Sequence, residues 1–114
     1  MSARNKLLAT PPYAVERALK RLGTNLRTAR LRRNLTVEQV AEKIGTGPRA
    51  VSAAEKGNAS TGIAVFTALL WTYGLLDPFA ELADPAGDEE GQALALSREP
   101  SRATGAAGEL DDDF

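Results

Sequence analysis

The sequence predicts an all-α protein, and three observations predict it. Apolar residues recur at helical spacing over successive stretches between residues 13 and 73. The stretches are bounded by residues that start and stop helices, among them Thr36, Pro48, Gly57 and Gly74. Between two of them the connection is only Gly45-Thr46-Gly47, which is short enough to be a tight turn between helices.

Taken in order, residues 1–12 are polar and basic and end in Thr10-Pro11-Pro12, so they predict a flexible basic arm. From Tyr13 to Arg33, Val15, Ala18, Leu19, Leu22, Leu26 and Ala29 share one helical face. Gly23 lowers helix propensity there by about 1 kcal/mol relative to Ala, which marks a place to bend or split. Asn34 suits a C-cap. Thr36 is an N-cap with Gln39 three residues on, completing a capping box ahead of Val37, Val40, Ala41 and Ile44. Pro48 fits the first position of the next helix, which runs through Val51 and Ala54 to Gly57-Asn58.

A further helix over about 61–73 is apolar on two sides. Ile63, Phe66, Leu70 and Tyr73 form one side, and Val65, Leu69 and Trp71 form the other. Such a helix buries both sides, and in a domain this small a second subunit is the expected cover. Phe66, Leu69, Trp71, Tyr73, Leu76 and Phe79 are therefore read first as core and then as a dimer or partner interface, where Trp and Tyr are favoured anchors. Asp77-Pro78 predicts an N-cap with Pro at N1, opening a short helix through Leu82. Beyond Asp84 the chain turns to Pro, Gly, Ala and acids, with Gln92-Ala93-Leu94-Ala95-Leu96 as its one apolar patch. Residues 13–83 are thus the folded domain, and 84–114 an acidic, largely disordered tail.

Composition narrows the function. The chain has no Cys and no His, which removes the usual zinc ligands, disulfides and imidazole catalysis. No residues are arranged like a catalytic or metal site, so neither an enzyme nor a cofactor is expected. No apolar run approaches the roughly 18 residues of a membrane span, and Leu7-Leu8-Ala9 is too short for a signal peptide, so a cytoplasmic location is expected. The near-zero net charge hides an asymmetry: residues 1–35 carry nine Lys or Arg and one acid, and residues 80–114 ten acids and two Arg. A basic surface for a polyanion and a separate acidic segment follow from that split.

Two short helices joined by a tight Gly-containing turn can place the second helix in the major groove of DNA. On residues 48–56 Arg49 is the natural base reader, since a bidentate Arg–guanine contact supplies about 1–3 kcal/mol of discrimination. Ser52 can donate to a base edge, and the Ala53 methyl can meet a thymine. Thr36, Gly47, Lys56 and Asn58 sit at helix ends and turns suited to gripping phosphate, and Lys43 and Arg33 extend that footprint. Basic side chains on the first helix and the arm add sequence-independent affinity.

Arg30, Leu35-Thr36, Val40-Ala41, Ile44-Gly45, Val51 and Glu55-Lys56-Gly57 together resemble the Xre/Cro-type helix-turn-helix family. That resemblance spans roughly Leu22 to Phe79. It implies a five-helix Cro/C1-repressor-like domain, a homodimer, and a double-stranded operator with an inverted repeat. It also implies an ion pair between Arg30 and Glu55 and a first base contact near Pro48. Where the family often carries Gln, this chain has Val37, which leaves the backbone N–H for a phosphate.

Trp71-Thr72-Tyr73-Gly74-Leu75, Leu82-Ala83-Asp84-Pro85, Asp88-Glu89-Glu90-Gly91 and the stretch from Ser97 to Arg102 resemble the C-terminal region of HipB-type antitoxins. This second resemblance implies an autoregulating repressor that also binds a HipA-type Ser/Thr kinase toxin. Two alternatives stand beside it. One is a stand-alone Xre-type regulator. The other is an interaction module that has lost specific DNA binding, which the alanines at 50, 53 and 54 make conceivable.

Overall fold

The computed structural model describes residues 5–98, and every regular element among them is helical. Up to Ala80 the elements are α1 (Lys6–Ala9), α2 (Tyr13–Arg32), α3 (Val37–Ile44), α4 (Pro48–Glu55), α5 (Ile63–Thr72) and α6 (Leu76–Ala80). From Glu81 onward the described residues form a second unit, in which Pro85–Gly87 is a 3-10 turn and Glu89–Arg98 is α7.

The core gathers one stripe from each of four helices. Leu26 and Ala29 come from α2, Val40 and Ala41 from α3, Val51 and Ala54 from α4, and Phe66 and Leu69 from α5, with Tyr73 at the α5 C-cap. This division corrects the expected interface. Phe66, Leu69 and Tyr73 are buried inside the single chain and present no surface to a partner. Leu76 and Phe79 are half-buried, while Trp71 stands 60% exposed. Sequence alone could not separate these residues, because α5 is apolar nearly all round and carries no polar stripe to mark the outside.

α2 does not split at Gly23. The helix is continuous there, and Gly23 is buried. A Cβ at this position would lie 2.5 Å from the Glu55 carbonyl oxygen and 2.6 Å from that of Ala54. Gly57 makes the matching approach from the other chain segment: a Cβ there would lie 2.6 Å from the Leu19 carbonyl oxygen, at a φ of +70°. The two missing side chains let the last turn of α4 seat directly on the α2 backbone.

Leu19 is also where the packing of α2 begins. Residues 13–18 are exposed throughout, including Val15 and Ala18, which the helical pattern places on the core face. The periodicity is correct for a helix, but among the described residues no other element covers its N-terminal turns.

Three other expectations change. The arm 1–12 contains a helical turn at α1, where the Asn5 side chain accepts the Leu7 N–H at 2.9 Å; residues 1–4 lie outside the described residues. α6 begins at Leu76 rather than after Asp77, which places Asp77 in its first turn, where a carboxylate suits the helix dipole. The acidic segment is helical over Glu89–Arg98. Its start is held by Asp88, whose Oδ1 accepts the Gly91 N–H at 3.0 Å, after Asp84 has capped Ala86 at 2.9 Å. Glu, Gln, Ala and Leu are strong helix formers, and local caps suffice where a core is absent. The remainder of the expected tail, 99–114, lies outside the described residues.

Candidate nucleic-acid interface

The α3–turn–α4 unit is built by local rules. Thr36 accepts the Gln39 N–H at 3.0 Å, and the Gln39 side chain accepts the Thr36 N–H at 2.8 Å, so the capping box forms in full. Glu38 in the first turn of α3 adds a favourable charge at the positive end of its dipole. Gly45 closes α3 in the left-handed region, and the Thr46 N–H returns to the Ala41 carbonyl at 2.9 Å. Gly47 is the N-cap of α4 and Pro48 occupies N1.

α4 then has two distinct sides. Val51 and Ala54 are fully buried. On the opposite side Pro48, Arg49 and the C-cap Lys56 are exposed, with Ser52 and Ala53 half-buried between them. The four residues expected to read bases therefore lie together on the outer side of one helix. Ala50, also in the helix, turns toward the core side and is half-buried.

An open cleft of about 690 Å³ brings this side of α4 against the start of α3. Thr36 and Val37 line it together with Pro48, Arg49 and Ser52, so proposed phosphate and base contacts share one wall. Glu38 lines it too, an acid that repels a phosphate placed deep in the cleft. Lys56 and Asn58 lie instead in a second groove, of about 360 Å³, beside Lys20 and Gly57. Asn58 Oδ1 accepts from the Ser60 N–H at 2.8 Å and from its hydroxyl at 2.7 Å, which leaves the amide N–H₂ as the end suited to phosphate. Lys43 is exposed in the last turn of α3, and Gly47 is exposed at the turn; neither lines the first cleft.

Behind this surface stands one buried charge. Arg30 donates from Nε to Glu55 Oε2 at 2.7 Å and from Nη2 to Oε1 at 3.0 Å, a bidentate pair between α2 and the last residue of α4. Its third nitrogen, Nη1, donates to the Leu35 carbonyl at 2.9 Å, which fixes the entry to α3. The hydrogen bonds to Glu55 raise the Arg30 pKa against the opposing effect of burial, so the guanidinium stays charged. One side chain thus ties together both helices of the motif.

Arg33 is exposed and also tied to its own domain. Expected at a phosphate, it donates from Nη1 to the Ala29 carbonyl at 2.8 Å and from Nη2 to the Tyr73 carbonyl at 2.9 Å. Its guanidinium also lies 5.4 Å from the Tyr73 ring centroid. The carbonyls ending α2 and α5 attract a cation more closely than a distant surface does, and no sequence spacing discloses that they meet. Burial pushes the Tyr73 phenol pKa up, so the ring beneath Arg33 is neutral at physiological pH.

Residues 21–82 match a family model described as a helix-turn-helix domain, which is more than half of the chain. The chain belongs to the helix-turn-helix family. Neither a curated protein nor a solved structure matches it. The match runs from just before Gly23 through all of α6, so it takes in the Arg30–Glu55 pair and the two-sided α4. It makes this helix-turn-helix protein a DNA-binding regulator in the broad sense. No helix among the described residues is long and apolar enough to cross a membrane.

Proposed function

We propose that this helix-turn-helix protein is a sequence-specific transcriptional repressor that lays α4 in the major groove of its operator. The observation that carries the reading is the two-sidedness of α4: Val51 and Ala54 anchor it, and Pro48, Arg49, Ser52 and Ala53 are presented together outward. Arg49 supplies the main base contact, and the N-terminal N–H groups of α3 meet a phosphate across the cleft. With only two polar readers on the helix, part of the preference comes from the shape and deformability of the DNA.

A homodimer on an inverted repeat fits this reading, with half-sites about 10 bp apart or a multiple of that spacing. The exposed apolar residues suited to its interface are Ile63, Trp71 and Leu75, rather than the buried Phe66, Leu69 and Tyr73. The finer role we propose is that of an autoregulating antitoxin for a HipA-type kinase. The resemblance of the segments at 71–75, 82–85 and 88–91 supports it.

Arg49→Ala tests the reading head. Arg49 is exposed in the first turn of α4, so the fold should be unchanged. Operator affinity should fall by about 1–3 kcal/mol, with relaxed preference at one base position, as measured by fluorescence anisotropy on operator variants. Unchanged affinity and preference would remove α4 as the reader.

A further inference from the structure

α2 is longer than its packing requires. Only from Leu19 onward does the helix meet the rest of the domain, yet it extends back to Tyr13 with every residue of 13–18 exposed. On a 3.6-residue repeat, Tyr13, Arg17 and Arg21 fall on the side away from the core residues Leu22, Leu26 and Ala29, with Lys20 and Arg27 at its flank. Arg17 lies over the Tyr13 ring at 5.8 Å. Among the described residues the single ion pair is Arg30–Glu55, so Arg17, Lys20 and Arg21 have no carboxylate partner. Glu16 is the one acid on this helix.

The ridge is not remote from the reading edge. Lys20 lines the same groove as Lys56 and Asn58, at the segment that leaves α4, with Glu16 as the one acid in its wall, and the Lys20 Cα lies 2.6 Å from where a Gly57 Cβ would be. A line of cations therefore continues from the end of the recognition helix onto the projecting turns of α2. From Arg17 to Arg27 the helix rises about 15 Å, which matches roughly four base pairs of duplex axis.

We infer that the projecting N-terminal half of α2 is a second DNA-binding surface, which uses Arg17, Lys20 and Arg21 to hold the phosphate backbone outside the segment read by α4. The inference rests on the DNA-binding reading and adds a part of the footprint that reads no bases. The positive charge calls for a polyanion, and continuity with Lys56 and Asn58 at the end of α4 favours duplex DNA over an acidic protein as that polyanion. Arg49 and this ridge then have separable effects: one sets preference among sequences, the other sets affinity for all of them.

The experiment compares the full-length protein with a triple variant, Arg17→Gln, Lys20→Gln and Arg21→Gln. The probes are mixed-sequence 40-bp duplexes, titrated by anisotropy over a range of salt concentrations. The slope of log Kobs against log salt should become shallower by about 2–3, and affinity near 0.1 M salt should fall roughly a hundredfold, equally for every sequence. Arg17→Lys with Arg21→Lys, which keeps the charge, should retain the wild-type slope. An unchanged slope in the triple variant, with wild-type DNA binding intact, overturns the inference and leaves the ridge to an acidic protein partner. Absence of DNA binding by the wild-type protein overturns the DNA-binding reading itself, and the inference with it.

Discussion

Replacing Arg30 by Ala should destabilise the domain by about 3–5 kcal/mol, because it leaves Glu55 as an uncompensated buried charge. The two side chains are only 9% and 7% exposed, so water does little to compensate the loss. The Leu35 carbonyl loses its donor in the same step. A small domain has about 5–15 kcal/mol in total, so a large part of its stability is at stake. Urea unfolding followed by circular dichroism gives the number. Glu55→Gln should cost less, since the amide oxygen still accepts one of the two Arg30 hydrogen bonds. A loss under about 1 kcal/mol for Arg30→Ala, the range of exposed pairs, would mean that the pair does not anchor α4.

The second large effect concerns Gly23 and has an unusual sign. In an exposed helix interior, Gly→Ala stabilises by about 1 kcal/mol. Here the new methyl would meet the Ala54 and Glu55 carbonyl oxygens at 2.6 and 2.5 Å, and these are backbone atoms that no rotamer change can move. Gly23→Ala should therefore destabilise, by about 1–3 kcal/mol, as overpacked sites do. Gly23→Val should cost more. The same unfolding measurement checks both. Because the contact lies on the last turn of α4, the variant should also bind DNA more weakly than its residual stability accounts for. A more stable Gly23→Ala protein would show that α2 and α4 are not in direct backbone contact.

Much of the reading motif is legible in the sequence because it rests on local chemistry. The Thr36–Gln39 capping box, the stop at Gly45 and Pro48 at N1 are decided within a few residues of themselves. Arg49 and Ser52 are placed outward by the helical repeat once Val51 and Ala54 point inward. What escapes the sequence depends on which element lies across from which. Gly23 reads as a weak point in a helix, yet its role is set by carbonyls that lie far along the chain. Arg33 reads as a free cation, yet Tyr73 supplies its acceptor. Val15 and Ala18 carry the correct periodicity but stay exposed among the described residues. The apolar set on α5 divides into buried Phe66 and Leu69 and exposed Ile63 and Trp71 only when the packing is known.

Whether α4 reads a particular DNA sequence is decided by binding to the DNA upstream of the protein's own reading frame. The purified protein is titrated into that duplex and into a scrambled duplex of equal length and composition, near physiological salt. A reading helix should prefer the upstream sequence by about 4 kcal/mol or more, the range that separates specific from non-specific binding. Equal affinity for the two duplexes, or no binding to either, would contradict it.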